Sequence, residues 1–147
     1  MATRARQNGI EHLPGHQIRR LQQVAVALFA GTLQAWDITP AQYAALATLA
    51  RQAPLSQAAL GALIACDRAT VGGVIERLDA KGWLQRTRDP ADRRQRRLGL
   101  TPAGRTVLRR LHPLIDEVQQ RLLAPLTASE RRQFDALCLK LLKHHAG

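Results

Sequence analysis

Apolar residues recur at intervals of three and four through much of the chain, a spacing typical of amphipathic helices. Residues 1–14 are polar and predict an arm, which is followed by a helix that reaches to about Trp36. The apolar stripe of this first helix consists of Ile18, Leu21, Ala25, Leu28 and Phe29. Such a stripe favours burial against a partner.

Capping residues predict where the second helix begins. Thr39 supplies the N-cap, Pro40 is the first helical residue, and Gln42 is the glutamine of a capping box. The helix is expected to end before Pro54. Its buried face is expected to consist of Tyr43, Leu46 and Leu49.

Two short helices follow in close succession. Ser56 is the predicted cap of the third helix, and Asp67 is the predicted cap of the fourth, which ends at Gly82. Their apolar positions are Leu60, Leu63 and Ile64 in the third and Val71, Val74, Ile75 and Leu78 in the fourth. Two helices separated by so short a connection predict a helix-turn-helix pair.

After Gly82 the pattern changes to that of strands. Residues 83–88 and 96–100 are two short strand-like segments, and between them lies the turn-rich sequence Asp89-Pro90-Ala91-Asp92. Together they predict a β-hairpin, or wing.

Two long helices complete the chain. Thr101-Pro102 begins the first of them, which Pro113 is expected to interrupt and bend, and the capping box from Thr127 to Glu130 begins the second. The apolar positions of the first are Leu108, Leu111, Ile115, Val118 and Leu122. Those of the second are Phe134, Leu137 and Leu141, and we expect these three to be buried.

The apolar stripes of the first and the last two helices exceed what one small three-helix lobe can hide. We therefore expect a homodimer, with a bundle inside one chain as the alternative. The predicted fold is mainly α: a winged helix-turn-helix with a small β-hairpin wing and long N- and C-terminal dimerisation helices. Within a single domain of residues 1–147, about 1–36 and 102–147 are the dimerisation helices and about 40–100 the winged helix-turn-helix.

Composition narrows the class of protein. Of the 147 residues, 46% are hydrophobic, which is enough for a packed core, and no window resembles a membrane span. The beginning of the sequence has no apolar stretch followed by a cleavage site, so we expect a cytoplasmic protein associated with the nucleoid. Two cysteines are too few for a disulfide framework.

The net charge is +11, and it is concentrated in one part of the chain. Residues 84–110 contain nine arginines and two aspartates, so seven of the eleven net charges lie in and just after the hairpin. A solvated charged face is the alternative, but arginine without lysine or glutamate is suited to phosphates and narrow minor grooves. Because aromatic residues make up only 3%, duplex DNA fits better than a stacked single strand.

Four segments carry a more specific pattern. They are Asp67-Arg68-Ala69-Thr70-Val71, Leu78-Asp79-Ala80-Lys81-Gly82-Trp83, Asp89-Pro90-Ala91-Asp92-Arg93-Arg94 and Leu100-Thr101-Pro102-Ala103-Gly104. They resemble the signature of the MarR family of bacterial winged-helix regulators, and the resemblance extends over essentially the whole chain. Residues 12–23 are most similar to the family's repressors of nicotinic-acid degradation genes. The resemblance implies a homodimeric repressor that binds a palindromic operator.

The fourth helix is the expected recognition helix. Its candidate DNA contacts are Arg68, Thr70, Gly72 and Arg77. Arg68 can bond guanine O6 and N7 together, whereas Thr70 suits a base edge or a phosphate, with a helix-internal filler as its alternative role. Arg77 suits a phosphate, or a surface pair with Glu76 or Asp79. Gly72-Gly73 departs from the family pattern and indicates either a close approach of the helix to DNA or simple tolerance.

The wing supplies the remaining DNA candidates, which are Arg93, Arg94 and Arg96. The family resemblance implies that Arg94 enters the minor groove and that Asp92 steadies the hairpin. Side chains alternate between the two faces of a strand, so only some of Arg93, Arg96 and Arg97 can face DNA.

A binding site for a small anion is predicted in and near the first helix. An anion in an apolar cleft needs a fixed cation and hydrogen-bond donors. The candidate effector residues are His16, Arg19, Arg20, Gln23, Trp36 and Tyr43. Helical spacing places His16 beside Arg19 or Arg20, and the aromatic side chains can form walls. The resemblance implies an aromatic carboxylate, with a hydroxynicotinate as the sharper hypothesis; each side chain alone can equally be solvated or contact the second subunit.

Other functions fit less well. The sequence contains no nucleophile triad, no phosphate-binding loop and no paired apolar carboxylates, so we predict neither an enzyme nor a cofactor. His12, His16, His144 and His145 have no acidic or cysteine cluster beside them, which argues against a metal site. Cys66 next to a helix N-terminus leaves open a redox switch, with ordinary packing as its alternative. A basic architectural protein that binds duplex DNA without sequence preference is the principal competing class.

Overall fold

The computed structural model describes residues 9–147, so most of the predicted arm lies outside the described residues. Six helices and two strands follow one another in this part of the chain. They are α1 (Pro14–Thr32), α2 (Pro40–Gln52), α3 (Gln57–Leu63), α4 (Arg68–Ala80), β1 (Leu84–Arg88), β2 (Arg96–Leu100), α5 (Pro102–Leu122) and α6 (Ala128–His145). Short 3₁₀ turns cover Ile10–His12 and Gln34–Trp36. The predicted fold class, mainly α with a hairpin wing, is confirmed.

The predicted caps are present. The Gln42 N–H donates to Thr39 Oγ1 at 3.2 Å, and the Thr39 N–H donates to Gln42 Oε1 at 3.4 Å, so both halves of this capping box form. Ser56 accepts the Ala59 N–H at 3.2 Å and fixes the start of α3. These helices begin where they do because local side chains satisfy backbone donors that no helical carbonyl can reach.

Two predictions need correction, one about where the first helix ends and one about Pro113. The first helix ends at Thr32 rather than near Trp36, because Leu33 turns into the core and is only 2% exposed, and Asp37 adopts the left-handed conformation with a φ of 47°. Pro113 lies inside α5 and does not interrupt it. Pro113 has no N–H to donate to the Arg109 carbonyl, and both residues are exposed.

Residues 29–115 form one compact unit that contains the helix-turn-helix and the wing. Its buried apolar side chains include Leu46, Leu49, Leu60, Val71, Ile75, Leu78, Leu98 and Leu111. Strands β1 and β2 are antiparallel, with Leu84 opposite Leu100 and Arg88 opposite Arg96. Leu55, in the connection between α2 and α3, exchanges two backbone hydrogen bonds with Leu98, at 2.7 and 3.1 Å, and so joins the wing to the helix-turn-helix.

The junction between α4, β1 and α5 is closely packed. Gly82 has a φ of +74°, the left-handed conformation in which α4 ends. The Thr101 hydroxyl donates to the Gly82 carbonyl at 2.6 Å, and the same oxygen accepts the Gly104 N–H at 3.0 Å. Lys81 adds a contact to the Asp37 carbonyl and lies 4.8 Å from the centre of the Trp83 ring. Side chains and backbone together therefore hold the end of α4.

Residues 9–28 and 116–147 form the second unit, which consists of most of α1, the end of α5 and all of α6. The expectation that the last helix is buried is wrong for the single chain: Phe134, Leu137 and Leu141 are 39%, 61% and 55% exposed. On α1, Ile18 is 60% exposed and Leu21 48% exposed. Within residues 9–147, no neighbour covers these apolar side chains.

No helix among residues 9–147 has by itself the length and apolar composition of a membrane span. The pair α3 and α4 reaches that length and composition only when taken together, and a bend of 107° separates the two helices.

Candidate nucleic-acid interface and effector residues

The first turn of α4 is organised by Asp67. Its carboxylate accepts the Thr70 N–H at 2.7 Å and the Thr70 hydroxyl at 2.9 Å, and these hydrogen bonds, the backbone one foremost, lower the pKa of Asp67 below its ordinary value of 3.8. The Thr70 hydroxyl thus uses its proton inside the cap. In this arrangement Thr70 can meet DNA only as a hydrogen-bond acceptor, which suits a base edge and not a phosphate.

Arg68 and Gly72 are one turn apart on one flank of α4, and Thr70 and Arg77 lie two turns apart on the other. All the side chains of this helix that the sequence proposes for DNA are exposed. The buried face of the helix consists of Val71, Val74, Ile75 and Leu78, as predicted. The packing thus leaves the candidate residues free to face a ligand.

A cleft of about 700 Å³ separates the helix-turn-helix from the wing. Four arginines line it, and we call it the basic cleft: Arg68, Arg86, Arg94 and Arg96. The structure therefore brings a recognition-helix candidate and two wing candidates to one concave surface. Arg86 also pairs with Asp79, with 3.3 Å between Nε and Oδ2, so part of its charge is neutralised within the protein.

That pair bears on Arg77, for which the sequence left a surface pair with Glu76 or Asp79 open. Asp79 is the partner of Arg86, and no ion pair is formed by Arg77 within residues 9–147. The phosphate contact of Arg77 stays a prediction.

Asp89 holds the wing in shape. It is only 6% exposed, and its carboxylate accepts the Ala91 N–H at 2.9 Å and the Arg97 Nε–H at 3.0 Å. These contacts, led by the Ala91 N–H, hold the pKa of Asp89 below its ordinary value of 3.8. Because the folded-state pKa is lowered, the contacts stabilise the wing above about pH 3.8 and are lost as the pH falls through the lowered value.

Asp92 is hydrogen-bonded within the turn of the wing, and its role in orienting the wing stays a prediction. Its carboxylate accepts the Arg94 N–H at 3.0 Å, and its carbonyl accepts the Gln95 N–H at 3.0 Å, which closes the turn before β2. Arg93, Arg94 and Arg96 are exposed around this turn, whereas Arg97 is held by Asp89. The structure thus separates the wing arginines that can face a ligand from the one that supports the hairpin.

The register of the hairpin also brings two like charges together. Arg88 and Arg96 are direct cross-strand partners, and both are exposed. Like charges opposite each other destabilise a strand pair, and an anion between or beside them relieves the repulsion. Arg88 was not among the candidates because the pairing depends on the register, which the sequence left open.

The candidate effector residues fall into two groups. On α1, Arg19 Nη2 lies 3.3 Å from His16 Nδ1, as the helical spacing predicts. Arg20 lines a shallow depression of about 370 Å³ on the same helix, and Gln23 is exposed. All four belong to the unit of residues 9–28 and 116–147.

Trp36 and Tyr43 belong to the other unit. The Tyr43 hydroxyl lies 3.2 Å from His112 Nδ1, and the two rings meet edge to face. His112 was missed because 69 positions separate it from Tyr43, and no local signal connects them. The part that each group plays in effector binding stays a prediction.

Neither cysteine forms a disulfide; Cys66 and Cys138 are half-buried, and Cys66 lines the basic cleft. Within residues 9–147, no three His, Cys, Asp or Glu side chains are grouped so as to hold a metal ion.

Comparison with known proteins adds to this geometry. The MarR family profile matches residues 38–95. The transcriptional regulator HosA of Escherichia coli O111:H- is 32% identical over 86% of this chain and 93% of its own, and the transcriptional repressor NicR of Pseudomonas putida is 33% identical over 80% of this chain and 74% of its own.

Solved structures are similar over the same length. BpsR of Bordetella bronchiseptica, whose DNA binding is regulated by 6-hydroxynicotinic acid, has a TM-score of 0.86 and 35% identity over 90% of this chain and 95% of its own. A mutant of MarR from Escherichia coli, complexed with operator DNA, has a TM-score of 0.83 and 29% identity over 90% of this chain and 96% of its own.

Proposed function

Because this chain belongs to the MarR family, whose members similar to it are transcriptional regulators and not enzymes, we propose that it is a sequence-specific repressor that a small aromatic acid releases from its operator. The family assignment made from the sequence is confirmed, and BpsR, whose DNA binding is regulated by 6-hydroxynicotinic acid, is among the similar structures. Sequence-specific repression, the palindromic operator and the effector are the proposed parts.

The basic cleft is the observation that carries DNA binding. Arginines from the recognition helix and the wing surround one concavity, and the hairpin places Arg88 directly opposite Arg96. A surface of this kind binds phosphate backbones and releases condensed counterions as it does so. Arg68 at the start of α4 then supplies direct contact with bases, and Arg94 supplies contact with the minor groove.

In the proposed homodimer, a second copy of the chain buries the exposed apolar side chains of α1 and α6. One winged helix reads only a half-site, whereas two related by a two-fold axis place their recognition helices about one turn of DNA apart. In this proposal, about residues 1–36 and 102–147 form the dimer and about residues 40–100 read DNA. A palindromic operator then matches the symmetry of the protein.

The salt dependence of Arg94→Ala tests the DNA-binding surface. A duplex selected from a random pool and an unselected duplex are titrated with both proteins at several salt concentrations. Arg94→Ala is expected to weaken binding to both duplexes and to reduce the slope of log K against log salt by about one unit, because one cation that displaces counterions from the minor groove is lost. The core and the dimer should be unchanged, since Arg94 is exposed at the tip of the wing.

Arg132→Ala, at an exposed position on α6, is the matched control and should leave affinity and slope unchanged. An unchanged slope for Arg94→Ala would remove this residue from the interface. If the wild-type protein binds both duplexes equally at the same salt concentration, it is an architectural protein and not a sequence-specific regulator.

The effector proposal is supported by the contact between the Arg19 and His16 side chains on α1. A carboxylate is stabilised by the guanidinium, and an aromatic ring suits a wall of aromatic side chains. A ligand there weakens DNA binding if it shifts the separation of the two recognition helices, because both half-sites lose register together. The coupling needed is about 1 to 3 kcal/mol, and operator DNA must weaken ligand binding by the same factor.

We expect 6-hydroxynicotinate to raise the melting temperature of the wild-type protein and to dissociate its operator complex. Arg19→Ala and His16→Ala should bind the operator normally and no longer respond to the acid. Arg51→Ala, at an exposed position at the end of α2, is a control that should respond fully. If hydroxynicotinate and related aromatic acids have neither effect on the wild-type protein, the effector hypothesis fails; if both variants respond fully, the choice of residues is wrong.

A further inference from the structure

We propose that Gln57, the first residue of α3, reads a base in the major groove in the place that a side chain at position 72 would otherwise occupy. The inference rests on the proposed function, in which α4 lies in that groove. Gln57 is exposed and lines the basic cleft together with Arg68. It therefore belongs to the surface that faces DNA, although it lies outside the recognition helix.

The glycine at position 72 is what gives Gln57 this access. A Cβ atom placed on Gly72 would lie 3.5 Å from Gln57 Nε2, so the amide of Gln57 lies directly beside the bare backbone of α4. A longer side chain at position 72 would occupy this space. Gly72 follows Arg68 by one helical turn on the same flank, and Gln57 thus extends the line of contacts that Arg68 begins.

The amide of Gln57 is available to an external partner. Its side chain makes no hydrogen bond with the rest of residues 9–147. The cap of α3 is formed by Ser56, which accepts the Ala59 N–H, so the start of this helix does not depend on the Gln57 amide. A side chain with one donor group and one acceptor group matches adenine, which presents N7 as acceptor and N6 as donor in the major groove.

This placement also accounts for the paired glycines. Two glycines in a helix interior lower its stability, and neither of them is required by crowding inside the protein: nothing lies within 4 Å of a Cβ on Gly73, and Gly72 meets only Gln57. On α4, the position after Arg68 on this flank carries no side chain that can read a base. Gln57 supplies the missing polar group from the neighbouring helix.

The test compares base preferences of wild type, Gln57→Ala and Gln57→Glu. Each protein selects duplexes from a random pool, and affinities are then measured for every single base-pair change in the sequence that the wild type selects. Gln57→Ala is expected to lose about 5- to 150-fold of discrimination for an A·T pair at one position in each half-site, with the other positions unchanged. Gln57→Glu keeps the length and lacks the N–H donor, so it should not restore that preference.

Gln52→Ala is the matched control, since Gln52 is an exposed glutamine at the end of α2 and does not line the cleft. Melting temperatures establish that each variant is folded. A uniform loss of affinity over all base changes would make Gln57 a phosphate contact and overturn the inference, as would an unchanged profile for Gln57→Ala. A wild-type protein that selects no sequence would refute the proposed function and this inference together, whereas a selective wild type with an unaffected Gln57→Ala variant refutes the inference alone.

Discussion

Replacement of Gly104 by alanine is expected to lower the free energy of unfolding by about 1 to 3 kcal/mol, the range for a side chain forced into a filled space. A Cβ atom on Gly104 would lie 2.1 Å from the Trp83 carbonyl oxygen, so one of the two backbones must move. The Trp83 carbonyl cannot move freely, because it accepts the Thr101 N–H at 3.1 Å, and the Trp83 N–H donates to the Leu78 carbonyl at 3.0 Å.

Gly73→Ala is the matched control, for which we expect the free energy of unfolding to change in the opposite direction. A Cβ on Gly73 meets nothing within 4 Å, so alanine should raise the free energy of unfolding by about 0.5 to 1 kcal/mol through its better helix propensity. Urea titrations of the two variants and the wild type measure both effects. Equal shifts for the two variants would mean that the junction of β1 and α5 is not closely packed in solution.

Substitution of Arg68 should have the largest effect on DNA recognition. Arg68→Ala is expected to reduce affinity for the selected operator by about 1 to 3 kcal/mol, or about 5- to 150-fold, with the preference lost at one position per half-site. The reason is that a guanidinium can bond guanine O6 and N7 at the same time. Affinities for single base-pair variants of the operator measure the effect.

Arg68→Lys separates charge from geometry. Lysine keeps the positive charge and lacks the planar fork of the guanidinium, so the salt slope should persist while the base preference weakens. If the lysine variant keeps the full preference, or if the alanine variant loses affinity equally for all sequences, Arg68 contacts phosphate and not a base.

The accuracy of the sequence predictions depends on how far apart the interacting residues lie. The caps at Thr39, Ser56 and Asp67 were predicted correctly because donor and acceptor are within three residues of each other. The strands were predicted to within a residue, since the alternation and the turn sequence are also local. The MarR resemblance rested on such local segments too.

Contacts between distant positions were not predictable in the same way. The Tyr43–His112 hydrogen bond and the Asp79–Arg86 ion pair depend on how elements pack. Asp89 was recognised only as part of a turn, since its carboxylate is held by Arg97, which lies eight positions away. The apolar positions of α6 follow a helical pattern, but the pattern does not say whether the same chain or a second copy covers them.

The hydrogen bonds between Leu55 and Leu98 have a mechanical consequence. They close a ring in the chain that contains α3, α4 and most of the hairpin, so the base of the wing is tied to the connection between α2 and α3. Leu98 lies at the anchored base of the hairpin, and Arg94 lies near its tip. In the proposed dimer, a tilt of the wing about Leu98 therefore displaces Arg94 further than Leu98 and changes the distance between the two wing tips.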